Sequence, residues 1–310
     1  MHTNDSRIND FNGMMPILPT AITPDGKIDE KSQRRLVQYC LKCGAVAIGH
    51  FGIASEFHKI SDSDRSLLTH IIIDETAGRV PVFIGVTAQG FDVAINYAKE
   101  AEQLGADIIM GALPLLNVPS PEEAYQFYKS LSDAISVPII IQDIPESAYV
   151  LSPELICQMF QEIEHVKYIK AEGTNFIAKI EEIKRLSNNS LEIIGGAGGK
   201  HLIHLLRLGI TSFMTGTEAL DIHGGAVKSY LAGEVEKAAD IYFEKISPYF
   251  MFYESYSEEL LKAMLYQRGI IDHPDIISPS AKPPMSEIEW REFNWVLDRI
   301  GLRKKWPEIP

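Results

Sequence analysis

A lysine and a glutamate stand together where an apolar run of the sequence ends. Lys170 lies at the end of the run Val166–Ala171, and Glu172 follows two positions later. A lysine at the end of a buried strand is costly unless its amine is used, either in a permanent charge pair or as a nucleophile that attacks a carbonyl carbon. The nucleophilic use forms a Schiff base, whose iminium withdraws electrons from the adjacent carbon. The pair therefore predicts carbonyl chemistry, with Glu172 as either a proton carrier or an orienting partner of Lys170.

Other groups that can hold a carbonyl substrate also follow apolar runs. In chain order they are Ala54 and Ser55, Gln142 and Asp143, Gly196 in the glycine-rich segment 195–199, and Met214. If the runs are parallel strands of a barrel, their carboxyl ends meet at one mouth. We then expect Lys170, Glu172 and Gln142 to be the catalytic candidates, and the remaining residues to bind substrate.

Eight such runs alternate with segments of helical periodicity over the first two-thirds of the chain. The runs are continuously apolar, which is typical of parallel strands buried on both faces. They are Met14–Pro19, Ala45–Gly49, Val80–Val86, Ala106–Met110, Val137–Ile141, Val166–Ala171, Leu191–Gly195 and Ile210–Met214. Eight strand–helix units predict an α/β protein with a (β/α)₈ TIM barrel, and an open doubly wound sheet is the alternative.

The last part of the sequence has helical patterns alone. Ser286 and Glu289 have the spacing of a capping box, which predicts a final helix that runs toward Gly301. We expect a barrel over residues 1–222 and a C-terminal helical extension over residues 223–310. Because no linker or low-complexity segment separates them, the extension should pack on the barrel as one structural unit.

Composition excludes several partners. The chain has 310 residues and a net charge of −13, which argues against nucleic acid and anionic membranes. No run approaches the length of a membrane-spanning helix, and the polar segment Met1–Asn12 does not read as a signal peptide. Three cysteines suit a reduced, cytoplasmic protein. Cys40 and Cys43 have a spacing seen in zinc sites, but no second pair completes one, so no metal is predicted.

Several short motifs resemble one family. They are Gly13–Pro16, Gly52–Glu56, Gly105–Asp107, Asp143–Pro145, Ile169–Lys170 and Gly195–Gly196. Over nearly its whole length the chain resembles the dihydrodipicolinate synthase and N-acetylneuraminate lyase family. The resemblance implies a (β/α)₈ barrel, a Schiff base between Lys170 and pyruvate or a related 2-keto acid, and a homo-oligomer built as a dimer or tetramer. It implies no cofactor, because the lysine itself supplies the electron sink.

The sequence departs from that family where its proton relay is expected. Gln142 stands at the position of the tyrosine that ends the fifth strand, and an amide is no proton shuttle. The second tyrosine corresponds to Leu116, and the paired hydroxyls correspond to Ile53 and Ala54. The chain is therefore a divergent member that lacks the catalytic tyrosine. Dihydrodipicolinate synthase activity itself is not expected.

Substitute groups can be named for the lost ones. Backbone amides of the Ala54–Ser55 turn can hold a substrate carboxylate without side-chain hydroxyls. Glu172 is the first candidate for proton transfer, because it lies two residues beyond Lys170 on the same face of a continuing strand. Asp143 is a further candidate at the same mouth.

Four functions stay open from the sequence. The first is a class I aldolase or lyase that acts on pyruvate or a related 2-keto acid, and the second is a dehydratase or aldolase for keto-deoxy sugar acids. The third is a phosphosugar enzyme, since the glycine-rich segment before Lys200 is suited to phosphate. The fourth is a barrel with impaired catalysis and a binding or regulatory role.

Overall fold

Eight parallel strands form a single closed sheet in the computed structural model, which describes residues 11–145, 150–172, 175–280 and 283–303. The strands are β1 (Gly13–Met14), β2 (Ile48–His50), β3 (Val82–Gly85), β4 (Ile108–Gly111), β5 (Ile139–Asp143), β6 (Val166–Ala171), β7 (Glu192–Gly195) and β8 (Ser212–Phe213). Neighbours follow the chain order from β2 to β8, and β1 pairs with β8. Backbone bonds from Leu18 N to Gly49 O (2.8 Å) and from Gly49 N to Pro16 O (3.0 Å) close the barrel.

The first strand is shorter than its apolar run predicts. Regular pairing ends at Met14, although the N–H groups of Met15 and Ile17 still donate to Phe213 and Thr215 of the neighbouring segment. Pro16 and Pro19 have no N–H, so the regular ladder cannot extend through them. The sixth strand matches its predicted run, Val166–Ala171. That strand carries the lysine.

Side chains fill the interior of the barrel. A separate apolar cluster lies inside it, and its members include Phe83, Met110, Ile140, Ile194 and Met214. Gly49 belongs to this packing, because a Cβ atom at that position would lie 1.9 Å from the Phe83 ring. The centre of the barrel is thus a packed core and not a pore.

Eleven α-helices are present in the described residues. They are α1 (Glu30–Lys42), α2 (Asp62–Thr76), α3 (Phe91–Leu104), α4 (Pro121–Ala134), α5 (Pro153–Glu162), α6 (Phe176–Leu186), α7 (Leu202–Arg207), α8 (Leu220–Leu231), α9 (Val235–Ile241), α10 (Phe250–Gln267) and α11 (Glu287–Ile300). The Ser286–Glu289 capping box forms as predicted, and α11 ends at Gly301. The boundary proposed after residue 222 falls inside α8, so the division into two parts stays a prediction.

Buried ion pairs connect α10, one of the helices after α8, to the segment that follows β2 at the mouth of the barrel. Lys262 of α10 is 1% exposed, and its Nζ lies 2.5 Å from Glu56 Oε2. Lys59 Nζ lies 3.0 Å from Glu56 Oε1. Removing one partner from such a buried group leaves an uncompensated charge, so these contacts hold α10 against the segment after β2. None of the described helices is long and apolar enough to cross a membrane.

Candidate active site

A cavity of about 290 Å³ opens at the carboxyl ends of the strands. Barrel enzymes place their active sites at this face, because the loops after the strands converge there. The volume is close to the lower end for small-molecule sites, which is roughly 300 Å³. The residues around it include Lys170, Glu172, Ala54, Met214, Tyr253 and Glu258.

Lys170 lies on β6, which is paired with β5 on one side and β7 on the other. It is in register with Gln142 on β5 and with Ile194 on β7, and it is 5% exposed. Its Nζ lies 2.9 Å from Glu172 Oε1. The structure therefore brings both members of the pair together at one cavity, where the carboxylate lies beside the amine.

Glu172 is held by three donors. Its Oε1 accepts from Lys170 and from the Ala197 N–H (3.0 Å), while its Oε2 accepts from Gln142 Nε2 (3.1 Å). Both oxygens act as acceptors, which is the pattern of a carboxylate. Gly196 makes room for it, because a Cβ there would lie 2.2 Å from Glu172 Cγ. Gln142 and Gly196 thus serve the site by positioning Glu172, and neither is among the described residues that line the cavity.

The turn after β2 forms one wall. It is bracketed by Phe51 and Glu56, whose φ angles of 63° and 56° lie in the left-handed region that disfavours non-glycine residues. Such strain persists where the surrounding structure fixes it, often at functional sites. Ile53 and Ala54 line the cavity. No bond from the Ala54 N–H to another described residue is present, so this donor remains for a ligand.

Ser55 is placed differently from its predicted role. Its N–H donates to Gly52 O (3.0 Å), and its hydroxyl donates to Leu18 O (2.5 Å). It is fully buried and is not among the described residues that line the cavity. Of the two predicted main-chain donors, only Ala54 faces the cavity, because the Ser55 amide closes the 3₁₀ turn.

Asp143 also lies away from the cavity lining in the described structure. Its Oδ2 is 2.7 Å from Lys179 Nζ on α6, and the carboxylate is fully buried. Burial raises the pKa of Asp143, while the Lys179 ammonium acts against that rise. Neighbouring residues of a strand point to opposite faces. Asp143 therefore points outward, toward the helices, while Gln142 points inward.

The loops after β7 and β8 complete the opposite wall. Met214 contributes apolar surface to the cavity, as predicted from the end of the last run. In the glycine-rich segment, the N–H of Gly199 donates to Gly196 O and that of Lys200 to Ala197 O. The Lys200 amine is paired with Glu254 on α10. These groups are engaged within the protein, so the segment offers few free donors to a phosphate.

Two functional candidates come from α10 and escaped the sequence interpretation. Tyr253 and Glu258 both line the cavity, and Glu258 Oε2 lies 3.4 Å from Lys59 Nζ. The segment that carries Tyr253 is rich in aromatic residues, Tyr249 to Tyr256, but no local pattern in it predicts a contact with the ends of the strands. Only the packing of α10 across the mouth reveals them.

The cavity is poor in positive charge. Of the described residues around it, Lys170 is the one basic side chain, whereas Glu172 and Glu258 are acidic. No group of three metal-ligating side chains occurs in the part of the chain that the structure describes. Lys170 is paired with Glu172, so the described lining holds no unpaired cation for a second carboxylate or a phosphate on the substrate.

A buried carboxyl lies behind the cavity wall. Glu218 is fully buried, and a Cβ at the cavity-lining Gly216 would lie 2.2 Å from its Oε2. Neither carboxyl oxygen reaches hydrogen-bonding geometry with a described residue, although Tyr249 and Arg268 act on its charge. Burial raises the pKa of Glu218 from 4.5 to about 7. Glu218 is therefore the titratable group beside this site whose charge changes near neutral pH.

Replacing Glu218 by glutamine should change how stability depends on pH. Between about pH 4.5 and 7 the folded protein binds more protons at Glu218 than the unfolded chain does, so the wild type loses stability as pH rises. A shift of this size is worth about 3 kcal/mol. The difference in unfolding free energy between Glu218→Gln and the wild type should rise by that amount from pH 5 to pH 8, as measured by urea denaturation. Parallel curves for the two proteins would contradict the prediction.

The fold and the site together define a class: a (β/α)₈ barrel whose mouth holds a buried amine paired with a fixed carboxylate. The chain belongs to the dihydrodipicolinate synthetase family, whose family model matches residues 10–296. The family and the barrel predicted from the sequence are both confirmed. Membership places the chain among the lyases and dehydratases of this family.

Relatives and solved structures give the degree of likeness. The chain is 34% identical over 211 residues to an L-2-keto-3-deoxyarabonate dehydratase from Azospirillum brasilense, a match that covers 66% of this chain and 67% of that protein. It is 24% identical to a 4-hydroxy-tetrahydrodipicolinate synthase from Methanopyrus kandleri, over 94% and 95% of the two chains. The structure of YagE from E. coli K12 in complex with pyruvate superposes with a TM-score of 0.87 at 21% identity, covering 94% of this chain and 99% of that one.

Proposed function

We propose that the protein is a Schiff-base-forming lyase for 2-keto acids, and that its substrate is a 2-keto-3-deoxy sugar acid from which it removes water. The observation that carries the proposal is the contact of 2.9 Å between Lys170 Nζ and a glutamate fixed by two further donors. The similarity to a keto-deoxy sugar acid dehydratase supports the substrate class.

The Lys170 amine starts the reaction. It attacks the C2 keto carbon when it is unprotonated, and Glu172 stands at hydrogen-bonding distance to take the proton from it. The keto oxygen takes one proton from the attacking nitrogen and the other back from Glu172, and it departs as water. This step leaves an iminium that links Nζ to C2 and returns Glu172 to its unprotonated form. The iminium draws electrons from C3, so a proton on C3 becomes acidic.

Glu172 is placed to remove that C3 proton. C3 is one bond from the carbon that Nζ holds, so a carboxylate beside Nζ is also beside C3. The Gln142 and Ala197 donors keep the carboxylate in one orientation, which is the usual purpose of such supporting hydrogen bonds. Proton removal gives an enamine, and the enamine expels the hydroxyl group from C4.

The two ends of the cavity favour an acid with a neutral tail. The free Ala54 N–H can donate to the substrate carboxylate, as backbone amides of turns do. At the outer end Glu258 can accept hydrogen bonds from sugar hydroxyls. A phosphosugar substrate has less support, because the Lys200 amine is paired with Glu254 and Lys170 is the one basic side chain among the described residues that line the cavity.

Borohydride trapping tests this function on the wild-type chain. The protein is incubated with pyruvate or a 2-keto-3-deoxypentonate, reduced, digested and analysed by mass spectrometry. We expect a covalent adduct on the peptide that contains Lys170, and no adduct when the keto acid is omitted. Release of pyruvate measured against loss of water then separates aldolase from dehydratase activity. If no keto acid in the panel is trapped, the protein is not a Schiff-base enzyme, and the binding or regulatory role is favoured. The homo-oligomeric state stays a prediction.

A further inference from the structure

The site described so far has no donor for the hydroxyl that leaves other than Glu172, once Glu172 holds the C3 proton. An expelled hydroxide needs a proton, and Gln142 replaces the tyrosine expected at the end of β5. Two hydroxyl side chains line the cavity among the described residues, Thr215 and Tyr253. Thr215 Oγ1 already donates to Gly216 O at 2.9 Å. The Tyr253 hydroxyl makes no hydrogen bond to a described residue, so it is free to contact a ligand.

Tyr253 packs against the glycine-rich segment, which also binds Glu172. A Cβ at Gly198 would lie 3.3 Å from the Tyr253 hydroxyl, and Gly198 has a φ of 63°, which favours glycine. The ring packs against Phe250 with centroids 5.3 Å apart. Gly198 follows Ala197, whose N–H holds Glu172. The phenol and the carboxylate therefore lie on the same side of the cavity.

The environment keeps this phenol protonated. Burial raises the pKa of Tyr253 well above its usual value, and the negative charges of Glu218 and Glu172 raise it further. Tyr253 therefore carries its proton at any working pH.

We propose that the Tyr253 hydroxyl donates the proton to the C4 hydroxyl group as it leaves a 2-keto-3-deoxy sugar acid bound to Lys170. The inference rests on the proposed function and assigns its missing donor. As the C4–O bond breaks, the electron pair of the enamine forms the C3–C4 double bond and regenerates the iminium, and the hydroxyl departs as water with the Tyr253 proton.

The proton balance closes within the site. Glu172 has gained the C3 proton, and Tyr253 has lost one to the leaving hydroxyl. Transfer from Glu172 to the phenolate, directly or through the water just formed, restores both groups. One proton and one hydroxyl leave the substrate, which equals one water, and no oxidant or cofactor takes part.

Tyr253→Phe tests the assignment, with Tyr256→Phe as the matched control. The first change removes a hydroxyl that has no partner in the described structure, so the fold should be kept. Tyr256 lies on the same helix, and its hydroxyl donates to Glu289 of α11, outside the cavity lining. Three quantities are compared with the wild type: trapping of pyruvate at Lys170, exchange of the pyruvate methyl protons in D₂O, and dehydration of 2-keto-3-deoxypentonate and hexonate.

For Tyr253→Phe we expect trapping and proton exchange within about twofold of the wild type, and dehydration slower by about 10²- to 10⁴-fold, the range for general acid catalysis. Tyr256→Phe should be unchanged in all three. Dehydration within threefold of the wild type overturns the assignment, and so does an equal loss of trapping. If the wild type traps pyruvate but dehydrates neither sugar acid, the donor role is rejected while the Schiff-base function stands. If the wild type traps no keto acid, the proposed function is rejected, and the donor role of Tyr253 is rejected with it.

Discussion

Replacing Lys170 by alanine should abolish both the trapped adduct and turnover. Without the amine no iminium forms, so the C3 proton is no longer acidic and the C4 hydroxyl has no route to leave. We expect a loss on the order of 10⁴-fold or more, the scale seen when a catalytic nucleophile is removed. Dehydration rates and borohydride trapping measure it.

The fold should survive this change. Glu172 keeps its hydrogen bonds from Gln142 and Ala197 after the lysine is gone, and it borders the cavity. Lys200→Ala is the matched control, since this lysine also lies near the mouth but pairs with Glu254 at the surface. The control should trap pyruvate like the wild type. Persistent turnover in a folded Lys170→Ala protein would remove the basis of the mechanism.

Replacing Glu172 by glutamine should separate imine formation from the later chemistry. The amide keeps the size of the side chain but cannot accept the C3 proton. We expect dehydration and the exchange of pyruvate methyl protons in D₂O to slow by about 10²- to 10⁴-fold. Trapping at Lys170 should be slower, because Glu172 no longer takes the amine proton, but it should reach completion since the nucleophile remains.

The pattern of these losses distinguishes Glu172 from Tyr253. Loss of Glu172 should slow proton exchange, whereas loss of the Tyr253 hydroxyl should leave it intact and slow only the departure of water. Glu254→Gln is the control, because Glu254 lies on the rim and faces Lys200. If Glu172→Gln exchanges pyruvate protons at the wild-type rate, Glu172 is an orienting partner of Lys170 and another base acts on C3.

The sequence predicted the parts of the site that depend on local pattern. The continuous apolar run Val166–Ala171 marks β6 because a strand buried on both faces needs such a run, and the Lys170–Glu172 pair follows from its end. The same reasoning placed Asp143 at the cavity, although its side chain points outward. Alternation along β5 implies that Gln142 and Asp143 point to opposite faces, but it does not tell which of them points inward. Ser55 was misassigned because its N–H and hydroxyl close a local turn.

Other parts of the site depend on contacts far apart in the sequence. Tyr253 and Glu258 reach the cavity through α10, which is held over the mouth by the pairing of Lys262 with Glu56. No local periodicity encodes such a meeting, since it depends on how the last helices pack. The strain at Phe51 is likewise visible only in three dimensions, as a left-handed residue where a strand turns.

The Lys262–Glu56 contact ties the reacting end of the cavity to a helix that does not belong to the strands. In the proposed reaction the nucleophile and its base come from β6 and the residue just after it, while Tyr253 and Glu258 of α10 line the same cavity. Changes on one face of α10 can therefore alter which acid is accepted without disturbing the amine. Changes at Glu258 should thus alter substrate choice, whereas changes at Tyr253, on the same helix, should also alter the departure of water.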